Sequence, residues 1–173
     1  MMSYDDMVQS FKNTVRGVFD EISVGDELMP MTILFDADGG THVVPGLFSD
    51  DEAKDAYAMA VRLIADRVGA VAVMTAVEAF ISKASRRDMN DDGTVRSGRM
   101  PSERPDRDEV VLITVESAGQ APRMWCGEIR NPKGSRNLRR ELGEWESFGE
   151  GATFSGRFAN ILNDDVHGHR GEA

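Results

Sequence analysis

Ala70-Val71-Ala72-Val73-Met74-Thr75-Ala76-Val77-Glu78-Ala79-Phe80-Ile81 is the stretch that decides the fold. Its β-branched residues Val71, Val73, Thr75, Val77 and Ile81 share one parity, the two-residue period of a strand, and nothing at its start caps a helix. The spacing predicts a long central strand over 70–81. Met74, Glu78 and Phe80 occupy the other parity. Glu78 is either an acid lining a pocket or, more simply, a charge near the strand end that reaches solvent.

Upstream lies a helix with clear punctuation. Ser49 followed by Glu52 forms a capping box, Phe48 is placed to staple against Ala53, and Gly69 stands where a C-cap glycine belongs. Between them Ala53, Ala56, Tyr57, Ala60, Ile64 and Val68 line one face, small enough to lie close to a sheet. Before this helix, Leu28 to Phe35 and Thr41 to Val44 are apolar, β-favouring runs. Asp36-Ala37-Asp38-Gly39-Gly40 joins them with residues that tolerate positive φ, so a hairpin is expected. Turn chemistry accounts for both aspartates without a cation. Further back, Met7, Phe11, Val15, Val18, Phe19 and Ile22 fall on one stripe of a helix over 4–22, with Ser3 as N-cap and Gly25 as its end.

Downstream, residues 82–108 form a polar connection, long for a compact domain and therefore of functional interest. Glu109 to Glu116 is a strand apolar on both faces, and Arg123 to Arg130 is another, bracketed by Pro122 and Pro132. Residues 134–151 give no firm element, 156–163 suggest a short closing helix, and 164–173 a disordered tail. The expected fold class is α/β (α+β): an antiparallel sheet of about five strands with two main flanking helices, in the order αββαβββ(α), as one domain over 1–163.

Composition narrows the function. The 173 residues carry 20 Lys and Arg against 30 Asp and Glu, a formal charge of −10 that opposes nonspecific binding to nucleic acid. No apolar run approaches a membrane span, and the N-terminus has no secretory pattern, which points to the cytoplasm. The single cysteine, Cys126, excludes an internal disulfide and a two-pair cysteine zinc site. It alternates with Met124, as a packing residue would.

Two segments hold convergent polar residues. In the first, Pro101 and Pro105 stiffen the entry to the 109–116 strand, where Ser102, Asp106, Arg107 and Glu109 stand at fixed spacing. With Glu78 from the neighbouring strand they define a ligand or partner pocket. The ordinary alternative is a self-capped strand entry with Arg107 paired to an acid. In the second, Arg123, Arg130, Lys133, Arg136, Arg139 and Arg140 face a single acid, Glu128. Such a stretch suits a phosphate group or an acidic surface, including acidic segments of the same molecule or of a twin.

Weaker patterns complete the inventory. Asp88, Asn90, Asp92, Gly93 and Val95 match an EF-hand loop, but its twelfth position, a bidentate Glu in that motif, is Arg99. His167 and His169 lie in the tail, and His42 on the hairpin. No metal or cofactor is expected.

The order of elements over residues 4–130 resembles the roadblock/longin/profilin-like group, which implies a five-stranded sheet with helices on its faces and a role as a dimerising scaffold. Locally, Pro101, Ser102, Pro105, Asp106, Arg107 and Glu109 resemble the Pro-Ser-x-x-Pro-Asp-Arg-x-Glu segment of a set of bacterial and phage proteins with no established activity. No catalytic residue transfers from it. The expected function is a non-enzymatic soluble interaction or ligand-binding module that pairs as a homodimer or with another protein. The alternative is a small enzyme or binder for a phosphorylated or nucleotide-like ligand, with Glu78 or Asp106 as base and Arg107 or Arg136 on phosphate.

Overall fold

The computed structural model describes residues 4–23, 26–46, 50–82, 90, 105, 107–130, 140–148 and 161–162. The elements run α1 (Tyr4–Glu21), β1 (Met31–Asp36), β2 (Thr41–Pro45), α2 (Asp51–Val68), β3 (Ala70–Ser82), β4 (Arg107–Ser117), β5 (Arg123–Arg130) and β6 (Glu141–Ser147). The fold is α+β: among the described residues one six-stranded antiparallel sheet runs in the order β2-β1-β3-β4-β5-β6, with two helices.

β3 forms because its alternating side chains satisfy two cores at once. Met74 and Ala76 enter a core under α1 with Val111, Ile113 and Val115 of β4 and Trp125 and Ile129 of β5. Val73 and Val77 enter a second core under α2 with Leu34, Val44 and Leu112. Period-two alternation thus gives each helix its own face of the sheet. β3 pairs with β1 from Met31↔Ala76 to Asp36↔Ala70, and with β4 from Ala72↔Ser117 to Ser82↔Arg107. At Glu78, β1 has ended while β4 continues, so one flank of β3 opens there.

α1 buries Val8, Phe11, Val15 and Phe19. Met7 and Ile22 pack at the margin of this core, but Val18 is 39% exposed: it lies on the flank of the stripe, and Val8 fills the place at its centre. The cap of α2 is Asp50, one residue beyond the expected Ser49; its carboxylate accepts from the Ala53 N–H at 2.8 Å. A charged cap also suits the positive end of the helix dipole. The shift removes the expected Glu52 capping box, since Ala53 now holds the third helical position; Ser49, Phe48, Ser3 and Gly25 lie outside the described residues. Gly69 closes the helix at φ 63°, its N–H returning to the Ala65 and Asp66 carbonyls.

The buried face of α2 is Tyr57, Ala58, Val61 and Ala65, with Ala56 exposed. The expected line of alanines is therefore rotated: Tyr57 and Val61 bury more apolar surface than an alanine does, and the Tyr57 hydroxyl donates to the Val44 carbonyl at 2.6 Å. The sheet has six strands rather than five because Glu141–Ser147, inside the stretch that gave no element, pairs with β5. Of the expected closing helix, the two described residues, Ile161 and Leu162, form a bend; Ile161 is buried in the α2-side core and the Leu162 N–H donates to Glu116.

Candidate functional site

On the α1 face, where β1 has ended, Glu78 of β3 and Glu109 of β4 lie on the same side of the sheet, diagonal across one pair of register positions. Arg140, immediately before β6, inserts between them. Its Nη1 donates to Glu78 Oε2 at 2.8 Å and to Glu109 Oε1 at 3.4 Å, and its Nη2 donates to Glu78 Oε1 at 2.8 Å and to the Asp26 carbonyl. The Leu28 N–H completes the set by donating to Glu78 Oε1. The guanidinium also lies 5.3 Å from the centre of the Phe19 ring.

Glu78 does not reach solvent as a strand-end charge. Its side chain is 10% exposed and that of Arg140 15%. The reason is topological: β1 has left its flank, so the 26–28 segment and Arg140 fill the gap, and a largely buried carboxylate must be matched. Hydrogen bonding to Glu78 raises the Arg140 pKa; burial opposes this, and the charges of Glu78, Glu109 and Glu27 add to it. The guanidinium is a permanent cation. Both Glu78 oxygens accept hydrogen bonds, Oε1 from Arg140 and Leu28 and Oε2 from Arg140, so the carboxylate serves first as the partner of the guanidinium.

Beside Glu78, Glu27, Leu28, Met29, Pro30, Asp50 and Lys54 line a cleft of about 130 Å³. Arg107 is on the same sheet face, as the pocket reading requires, but its guanidinium stacks 4.9 Å from the centre of the Phe80 ring. The polar loop expected over 82–108 is shorter at this end, since Arg107 and Asp108 are part of β4. Ser102, Asp106, Lys133, Arg136 and Arg139 lie outside the described residues, as does the EF-hand-like loop apart from Asn90.

The basic stretch is engaged internally wherever it is described. Arg130 pairs with Glu128 at 2.9 Å, Arg123 with Asp5 of α1 at 3.1 Å, and Arg140 with Glu78 and Glu109. Arg123 also lies against the Tyr4 and Trp125 rings, and Lys12 caps Trp125 at 4.2 Å. Burial, with Arg123 nearby, lowers the Lys12 pKa. Cys126 packs against the α2-side core.

Three polar arrangements had no clear sequence signal. Asp36 accepts from the Asp38 and Gly40 N–H groups and from His42; the Asp-x-Asp-Gly-Gly spacing announced the turn but not the histidine. Arg16 of α1 donates to the Leu142 and Gly143 carbonyls of β6. Glu116 is a buried carboxylate that accepts from Leu162 N–H.

A different surface lies on the outer side of α2. Met59 is 64% exposed and Leu63 63% exposed, one helical turn apart, and exposed Ala56 continues the line. Exposed Glu52 and Arg67 stand at its two ends. No helix among the described residues is long and apolar enough to cross a membrane. Comparison with protein-family models, curated proteins and solved structures gave no match to this chain.

Proposed function

We propose that this protein is a soluble, non-enzymatic interaction module that pairs with a second copy of itself through the outer face of α2. The observation that carries the reading is the exposure of Met59 and Leu63. Other large apolar side chains of the described residues are exposed too, but these two are the pair aligned at four-residue spacing on one helix face, where they form one apolar strip. The expected likeness to dimerising scaffolds points the same way. The phosphate-ligand alternative draws less support, because Arg140 and Glu78 neutralise each other and Arg123 and Arg130 already hold acids.

Light scattering across a concentration series tests this. The wild-type chain is expected to dimerise, and Met59→Glu or Leu63→Glu to make it monomeric without loss of helical signal, because both side chains lie outside the core. A wild type that stays monomeric at high micromolar concentration, or a dimer indifferent to both substitutions, overturns the reading.

A further inference from the structure

We infer that the two copies of α2 cross antiparallel about a two-fold axis beside Met59, with Glu52 of each chain facing Arg67 of the partner subunit. This rests on the self-pairing proposed above and adds its geometry. Glu52, Ala56, Met59 and Leu63 follow one another at spacings of four, three and four, the seam of two packed helices, and Arg67 extends it by four more. The line itself is charged oppositely at its ends, Glu52 at the first turn and Arg67 at the last, where exposed Asp66 stands next to it in the chain.

An antiparallel partner exploits this polarity and a parallel one does not. With the axis between positions 59 and 60, Glu52 meets Arg67 of the partner subunit and Leu63 sits over Ala56 of the partner subunit, a large residue on a small one. Met59 packs beside its own symmetry mate. A parallel pair would set Glu52 against Glu52 and Arg67 against Arg67, a like-charge penalty at both ends. The small Ala56 lets the two helix backbones approach.

Among the described residues both sheet edges are partly blocked, although Val43 of β2 is itself exposed. β2 ends in Pro45, which has no N–H to donate, and two carbonyls of the opposite edge strand, β6, are taken by Arg16.

Sedimentation measurements on Glu52→Arg, Arg67→Glu and the double variant test the orientation. Each single reversal is expected to weaken the dimer roughly five- to tenfold, since symmetry creates the repulsion twice, and the double variant to recover to about the wild-type value. In a Cys126→Ser background, Met59→Cys is expected to cross-link to itself on oxidation. Glu52→Cys is not, because the two copies of position 52 stand about 22 Å apart at 1.5 Å per residue. Self-cross-linking of Glu52→Cys, or single reversals that leave the dimer unchanged while Met59→Glu still dissolves it, overturns the antiparallel geometry and leaves self-pairing intact. A dimer unaffected by Met59→Glu overturns both.

Discussion

Arg140 and Glu78 are 62 residues apart in the chain and meet through two parallel N–H···O bonds of 2.8 Å, a fork-to-fork contact between the residue entering the edge strand and the longest central one. The Leu28 backbone and the Asp26 carbonyl hang on the same two groups, so the segment leading into β1, the open flank of β3 and the start of β6 are fastened at a single point. Bidentate geometry fixes direction as well as distance, which a point charge would not do.

Replacing Arg140 therefore has a larger effect than removing a surface ion pair. Arg140→Ala leaves the largely buried Glu78 with the Leu28 N–H in place of three donors, and is expected to cost about 2–4 kcal/mol in urea unfolding. Arg140→Lys, which keeps the charge and loses the fork, is expected to cost about half as much. The double variant Glu78→Met/Arg140→Met is expected to lose less than Arg140→Ala, because no charge is left unmatched. A loss below about 0.5 kcal/mol for Arg140→Ala would show that the pair is incidental.

The contrast between β3 and β6 shows what the sequence discloses. β-Branched residues alternate through Val71, Val73, Thr75 and Val77, and residues 72–77 are buried on both faces of β3, so the strand stands out in one dimension as an apolar run. In β6 the two inward residues are Leu142 and Trp145, three apart, and that spacing breaks period two. A register shift between Gly127 and Ile129 of β5 explains it: Ile129 opposes Leu142 while Gly127 opposes Trp145. The strand is legible only with its partner in view. The same holds for the polar cluster. Glu78, Glu109 and Arg140 were all visible as candidates, but Arg140 belonged by sequence to a basic run and Glu78 to Arg107, and only the sheet register joins them. On α2, the alanines gave a face too weakly apolar to fix the helix rotation, so the outward Met59 and Leu63 had no sequence signal.

The hairpin turn between β1 and β2 carries an acid-side pH dependence. His42 Nε2 lies 2.9 Å from Asp36 Oδ2, and the Gly40 and Asp38 N–H groups hold Oδ1. The hydrogen bond to His42, then those of Gly40 and Asp38, hold the Asp36 carboxyl below its ordinary value of 3.8 against an opposing contribution from burial. A depressed value means that this contribution to stability is present above 3.8 and is lost as pH falls through the folded-state value. The melting temperature of the wild type is thus expected to exceed that of Asp36→Asn at neutral pH, the gap closing below about pH 4. A gap that stays constant across that range would show that the Asp36 charge does not contribute.

Tyr57 predicts the opposite limb. Its phenol is buried under α2 and donates to the Val44 carbonyl, and burial raises its pKa above 10.0 with a hydrogen bond from Thr32 opposing. A raised value makes the stabilisation complete below 10.0 and lost as pH rises through the folded-state value. Of the two tyrosines in the chain, Tyr57 should therefore ionise late, its phenolate absorbance developing with unfolding. Tyr57→Phe is expected to cost about 1 kcal/mol at neutral pH and to flatten the alkaline limb; an unchanged limb would remove Tyr57 as its source.

Gly127 sets a contact argument against a propensity argument. Alanine is a better strand residue than glycine, so an open site would gain from Gly127→Ala. Here the position faces the α1-side core at the β5–β6 irregularity, and an added Cβ would stand 2.8 Å from Leu142 Cδ1 and 3.3 Å from Trp145 Cε3. Leu142 is itself buried and its carbonyl is bound to Arg16, so the side chain has little room to withdraw. Overpacking is expected to win: Gly127→Ala should destabilise by about 1–3 kcal/mol in thermal or urea unfolding, and Leu142→Val in the same chain should recover part of the loss by removing the methyl that clashes. Stabilisation by Gly127→Ala would mean that β6 moves freely against β5, and the fastening of the edge strand by Arg16 and Arg140 would then be the wrong account of how the sheet ends.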